Sequence, residues 1–222
     1  MTIELMCFDM AGTTVNDGGL VLEAFRRTID ELGVVGDEAA KAEEYVIETM
    51  GQSKIEVFTV LFDERAHDAN ESFERHFVSA ANEVGVVEVP GARKTVETLR
   101  DRGFAVALTT GFSPATREAL IEILGWSDLF TLRVSPADAG RGRPAPDMVL
   151  VCAVKSRVSA VQTIMVVGDT SSDMQAGRRA GAGQCVGVLT GTDDERRLLA
   201  SGADVVVDSV TDLLGLDILV TN

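Results

Sequence analysis

Four short stretches carry side chains that could act on a phosphoryl group: "CFDMAGTTV" (7–15), "LTTGF" (108–112), "GRGRPAPD" (140–147) and "VGDTSSDM" (167–174). Asp9, Asp169 and Asp173 offer hard oxygen ligands, a set suited to Mg²⁺. The Thr110 hydroxyl, turn N–H groups and the Arg143 guanidinium could hold phosphoryl oxygens. Asp9 could then attack phosphorus and carry it as an aspartyl phosphate. Singly, each residue has an ordinary reading: a turn aspartate, a loop hydroxyl, a surface cation, a helix start capped by Asp169 or Thr170. Their joint order favours catalysis. Asp9, Thr110 with Gly111, and Asp169 with Asp173 each follow a β-prone run, and Arg143 is expected to open a helix.

Such residues converge only if strand ends converge. Six apolar runs read as strands: 3–8, 104–110, 130–134, 163–168, 184–189 and 204–207. Continuous runs such as "IMVV" suit a parallel sheet covered on both faces. Helical patterns lie between them. "ARKTVETLRDRG" (92–103) closes on Gly103, and "SPATREALIEILG" (113–125) has Ser113 as N-cap and Pro114 at its first helical position. Alternating strands and helices predict an open α/β sheet, with ligands beyond the carboxyl ends of the strands. Residues 17–87 break the alternation and read as helices only. Their candidates are "LVLEAFRRTIDELG", "DEAAKAEEYVIETMG" (with Met50 and Gly51 ending it), "SKIEVFTVLFDE" and "NESFERHFVSAANEVG". A helical cap domain over 17–87, inserted into a core of 1–16 and 88–222, is the expected organisation.

"DMAGTT", "LTTG", "RPAPD" and "VGDTSSDM", in this order, resemble the haloacid dehalogenase superfamily over nearly the whole chain. The resemblance implies a Rossmann-like core, a helical cap after the first strand, an Asp9 nucleophile and bound Mg²⁺. It also implies metal ligation by Asp9, the backbone carbonyl of Ala11 and Asp169, with Asp173 ligating directly or through water. The superfamily's phosphatases carry an aspartate where this chain has Ala11; that acid protonates a departing alkoxide. Ala11 cannot. A carbon leaving group needs an electron sink instead, and a lysine imine supplies one. The chain has four lysines, Lys41, Lys54, Lys94 and Lys155. Lys54, in "ETMGQSKIEVF", resembles the Schiff-base lysine of the phosphonoacetaldehyde hydrolases, as "DMAGTT" resembles their first motif. Met50, Gly111 and Phe112 are then candidate substrate contacts. Three positions depart from those enzymes: Val57 stands for a histidine, Phe112 for an aromatic hydroxyl and Gly19 for a cysteine.

The expected reaction is Mg²⁺-dependent cleavage of the C–P bond of phosphonoacetaldehyde or a close phosphonate aldehyde. The alternative is a phosphatase or phosphomutase acting on a small phosphorylated metabolite without imine chemistry. A net charge of −15 argues against binding nucleic acid or an anionic membrane. Residues 17–88 carry 17 acids and 6 bases, so most of that charge sits in the helical insert. Acids such as Glu56 would favour the ammonium form of Lys54, so imine chemistry requires Lys54 to be buried away from them. Cys7, Cys152 and Cys185 lack metal-ligand spacing and read as reduced core thiols of a cytoplasmic protein. An exposed apolar cap face would allow a homodimer.

Overall fold

Each of the six apolar runs is a strand. In the structure, a computed structural model that describes residues 2–219, β1 (Leu5–Asp9) is followed by the two-residue strands β2 (Val15–Asn16) and β3 (Val87–Glu88). The remaining strands are β4 (Ala105–Thr109), β5 (Leu132–Val134), β6 (Ile164–Gly168), β7 (Gln184–Val188) and β8 (Val205–Val207). Six of these pair in parallel in the order β5-β4-β1-β6-β7-β8. Side chains alternate across the sheet. Met6, Phe8, Leu108, Met165 and Val167 pack into one core, and Leu5, Cys7, Ala107, Val166 and Cys185 into the other. Burial on both faces is why these strands read as unbroken apolar runs.

β2 and β3 form a separate antiparallel ribbon. Between them run α1 (Leu20–Glu31), α2 (Gly36–Glu48), α3 (Lys54–Phe62) and α4 (Ala66–Val84). In α1 the buried residues Leu20, Val21, Ala24, Phe25, Thr28 and Ile29 make one stripe, the spacing of an amphipathic helix. The block's centre is aromatic. Phe58 stacks on Phe25 (5.9 Å between ring centroids) and meets Phe73 at a tilt of 57° (5.7 Å). Two boundaries differ from expectation. α2 stops at Glu48, leaving Met50 and Gly51 in a turn, and α4 begins at Ala66 rather than near residue 70.

The sheet is flanked by α5 (Ala92–Asp101), α6 (Pro114–Ile123), the short α7 (Pro136–Ala139), α8 (Asp147–Ser156), α9 (Ser171–Ala180) and α10 (Glu195–Ala200). α5 and α6 bury Val96, Leu99, Leu120 and Ile121 on one face; α8 and α9 bury Met148, Cys152 and Met174 on the other. Ser113 caps α6, accepting the Thr116 N–H, and Pro114 follows it. Gly103, at φ +92°, ends the α5 turn, as its left-handed conformation requires. The three cysteines are buried and free. Among the described residues, no helix is long and apolar enough to cross a membrane.

Candidate active site

β1 lies between β4 and β6, so three strand ends meet at one edge. Asp9, the last residue of β1, is in register with Thr109 of β4. Asp169 follows β6 directly. Its Oδ1 accepts the Thr13 hydroxyl (2.8 Å) and its Oδ2 the Thr192 N–H (2.9 Å). α9 then opens with Thr170 as N-cap and Asp173 three positions on, a reciprocal capping box. Thr170 donates its N–H to Asp173 Oδ2 at 3.1 Å. Arg143 lies between the acids: its Nη1 pairs with Asp9 Oδ1 (2.5 Å) and with Asp173 Oδ1. All four residues are buried.

Arg143 does not open a helix. It lies in the loop between α7 and α8, which starts only at Asp147, and it precedes Pro144 through a cis peptide bond. A residue before proline is kept out of the helical region by the proline ring, and Pro144 has no N–H to give a helix. The loop carries the guanidinium to Asp9 across the top of the sheet.

Asp9, Asp169 and Asp173 each place a carboxylate oxygen within 4.8 Å of the others. Burial pushes Asp9 up to about 7, the Asp173 charge adding to it and Arg143 opposing. Burial raises Asp169 well above the usual carboxylate range, with the charges of Asp9 and Asp173 adding to it. Three carboxyls crowded beside one guanidinium resist ionising together without a further cation. An all-oxygen set of this kind fits a hard divalent cation.

Above the strand ends lies a cavity of about 310 Å³, and the helical block forms its other wall. Asp9, Ala11, Thr110, Gly111 and Arg143 line it from the sheet side; Met50 and Lys54 line it from the block. All seven are candidates named from the sequence. Lys54, the first residue of α3, donates its N–H to the Gly111 carbonyl (3.3 Å). Its Nζ stands 6.0 Å from the centroid of Phe112. Burial lowers the Lys54 pKa to about 8, helped by the Arg143 charge and opposed by Asp9, Asp17 and Asp169. Glu56, expected to favour the ammonium, is turned to the opposite loop, where it accepts the Gly142 N–H (3.1 Å).

Phe112 also lines the cavity, but only 2% of it is exposed. Its ring lies 4.6 Å from Phe77 and 6.4 Å from Phe73, so a sheet-side residue completes the block's aromatic core. Burying a ring of this size contributes about 1.5–3 kcal/mol. Next to it, Glu74 of α4 accepts the Ser113 N–H (3.0 Å), the Ser113 hydroxyl and the Thr116 hydroxyl (3.0 Å). Two carboxylates of the block therefore hold the two loops that carry Thr110 and Arg143. Close approach does the rest. A Cβ on Gly51 would overlap Thr170 Oγ1, one on Gly142 would overlap Ser53, and one on Gly111 would overlap the Gln52 carbonyl. Val57 is sealed in the core, and Gly19 lies exposed at the cavity rim.

Thr13, Asp17, Glu56, Glu74 and Thr192 were not singled out as site residues from sequence. Only Thr13 had a local signal, the hydroxyl-rich turn after Asp9.

Comparison with known proteins identifies the family. The sequence pattern of the family described as "Haloacid dehalogenase-like hydrolase" matches residues 6–187. A phosphonoacetaldehyde hydrolase of Bacillus mycoides (strain KBAB4) is 32% identical over 221 residues, covering 87% of this chain and 78% of that protein. Two solved structures share the fold, each with a TM-score of 0.84 and 24% identity. One is a hydrolase from Pseudomonas syringae, with 97% of both chains covered. The other is a phosphonoacetaldehyde hydrolase like protein from Oleispira antarctica, covering 99% of this chain and 93% of that one. The family pattern spans Asp9, Thr110, Arg143, Asp169 and Asp173, and the chain belongs to the haloacid dehalogenase-like hydrolase family.

Proposed function

We propose that this protein is a Mg²⁺-dependent hydrolase that cleaves the C–P bond of phosphonoacetaldehyde or a close phosphonate aldehyde. One observation carries the reading: a half-buried lysine whose pKa falls to about 8 shares a cavity with Asp9, where Ala11 offers no acid to an alkoxide. In this reading residues 17–87 are a cap over a core of 1–16 and 88–222.

Lys54 condenses with the aldehyde, and the iminium becomes the electron sink. Asp9 attacks phosphorus. The C–P bonding pair moves into a new C=C bond as the C=N pair withdraws onto nitrogen, leaving an enamine and an aspartyl phosphate. Protonation of the enamine carbon and addition of water release acetaldehyde and free Lys54. A second water hydrolyses the aspartyl phosphate. The Thr110 oxygen accepts the Phe112 N–H (3.3 Å), which leaves its own proton for a phosphoryl oxygen. Arg143 Nε is buried without a hydrogen-bonded partner among the described residues, a second donor for the same group. Asp9, the Ala11 carbonyl, Asp169 and Asp173 would hold Mg²⁺, whose charge offsets that of the phosphoryl oxygens. Met50, Gly111 and Phe112 shape the aldehyde end of the cavity.

The test is release of acetaldehyde and phosphate from phosphonoacetaldehyde. Equal amounts of both products with Mg²⁺, and loss of turnover with EDTA, are expected. Phosphate release from ordinary phosphate esters with no acetaldehyde from the phosphonate would overturn the reading in favour of a phosphatase.

Gly51→Ala should lower kcat/KM by about 10²-fold, the scale of an ångström-sized misplacement. Gly51 sits at φ +83°, and its Cβ would overlap the Thr170 hydroxyl that caps α9. The cap would be held off the core while each part keeps its own packing. Steady-state kinetics beside far-UV circular dichroism check this; wild-type kinetics would show that the contact does not matter.

A further inference from the structure

Condensing an ammonium with an aldehyde needs a group that takes a proton from nitrogen and returns one to a departing hydroxyl. Among the described residues lining the cavity, the titratable side chains are Asp9, Asp17, Lys54 and Arg143. Asp9 is paired with Arg143 and is the nucleophile of the proposed reaction, and Arg143 is pinned between two carboxylates. Glu56 and Glu74 are engaged on core N–H groups. Val57, one turn after Lys54, is apolar and buried. Asp17 is left. It follows β2 directly and precedes α1. Its Oδ2 accepts the Val21 N–H (3.1 Å), which fixes the side chain, and among the described residues Oδ1 takes no hydrogen bond.

We propose, on the basis of the Lys54 imine reading above, that Asp17 is the proton carrier of imine formation. The Asp17 carboxylate takes a proton from the Lys54 ammonium, and the freed amine attacks the carbonyl carbon. A proton passes from nitrogen to oxygen to give the carbinolamine. The Asp17 acid then protonates the hydroxyl, which leaves as water while the nitrogen lone pair forms the C=N bond. Asp17 ends as a carboxylate and Lys54 as the iminium. Asp17 is also one of the charges that oppose the fall in the Lys54 pKa, which agrees with the two sharing one compartment.

The experiment mixes the full chain with phosphonoacetaldehyde, quenches with borohydride at increasing times, and follows the reduced adduct on Lys54 by peptide mass. Asp17→Asn keeps an oxygen for the Val21 N–H and loses the proton carrier. Its adduct should form about 10²-fold more slowly. Asp17→Ala should be as slow, and added formate should restore part of its rate. Wild-type rates in Asp17→Asn would overturn the role of Asp17 and leave the imine standing. An Asp17→Ala protein that formate leaves slow would also overturn it, assigning Asp17 to helix capping. No adduct in the wild type would overturn both readings.

Discussion

Lys54→Ala should abolish acetaldehyde release from phosphonoacetaldehyde, with a loss on the order of 10⁵-fold. The scale is that of an amine held in the cavity against one that must come from solution. Alanine keeps the backbone N–H that bonds the Gly111 carbonyl, so the contact between the helical block and the sheet survives and the loss reports on the amine. Without an iminium, the C–P pair has no acceptor, and Asp9 alone cannot expel a carbanion. The wild-type pH profile supplies an independent check. A lysine at its usual pKa would gain reactivity up to about 10.5, whereas Lys54 is held near 8 by burial and by Arg143. The attacking form is the neutral amine, so the rate of borohydride-trapped adduct should rise with pH and level off above about 8. A rise continuing past pH 10 would mean an ordinary exposed lysine. Acetaldehyde release that survives Lys54→Ala would end the imine mechanism.

Much of the core could be read because a parallel sheet writes itself into sequence. A strand buried on both faces must be apolar throughout, and "IMVV" could be little else. Asp9, Thr110 and Asp169 were found for the same reason: polar residues that end such runs mark the working edge. Arg143 is legible by type but not by element: a helix start is expected at it, and the helix begins only at Asp147. The contacts that close the site left no local trace. Thr13 reaches Asp169 across 156 positions, Glu56 reaches Gly142 across 86, and Glu74 reaches Ser113 across 39. No periodicity encodes pairs so distant, and an acid on a helix surface looks the same whether it faces water or caps another helix. Phe112 shows the limit from the other side. It lines the cavity as a candidate substrate contact, but its second role, joining the aromatic cluster of the helical block, has no signal in the sequence. The two-residue ribbon of β2 and β3 was too short to show any alternation.

Asp9→Asn should separate the two covalent steps. An amide is no nucleophile toward phosphorus, so phosphate release should fall by about 10⁵–10⁶-fold, the scale on which removal of a covalent nucleophile acts. The shape of the site should survive. Asparagine is nearly isosteric with aspartate, Arg143 keeps its ion pair with Asp173, and a neutral amide relieves the crowding of three buried carboxylates. The melting temperature of the metal-free variant should therefore not fall below that of the wild type. Lys54 is on the other wall of the cavity, bonded to Gly111 rather than to Asp9. Asp9→Asn should therefore still condense with phosphonoacetaldehyde and be trapped by borohydride as a phosphonate adduct on Lys54. Wild type, trapped during turnover, should also yield the dephosphorylated two-carbon adduct, because its C–P bond has been cut. The two masses at one lysine place imine formation before C–P cleavage and assign cleavage to Asp9. Phosphate release by Asp9→Asn at the wild-type rate would remove Asp9 as nucleophile, and a two-carbon adduct in that variant would mean that something other than Asp9 accepts the phosphoryl group.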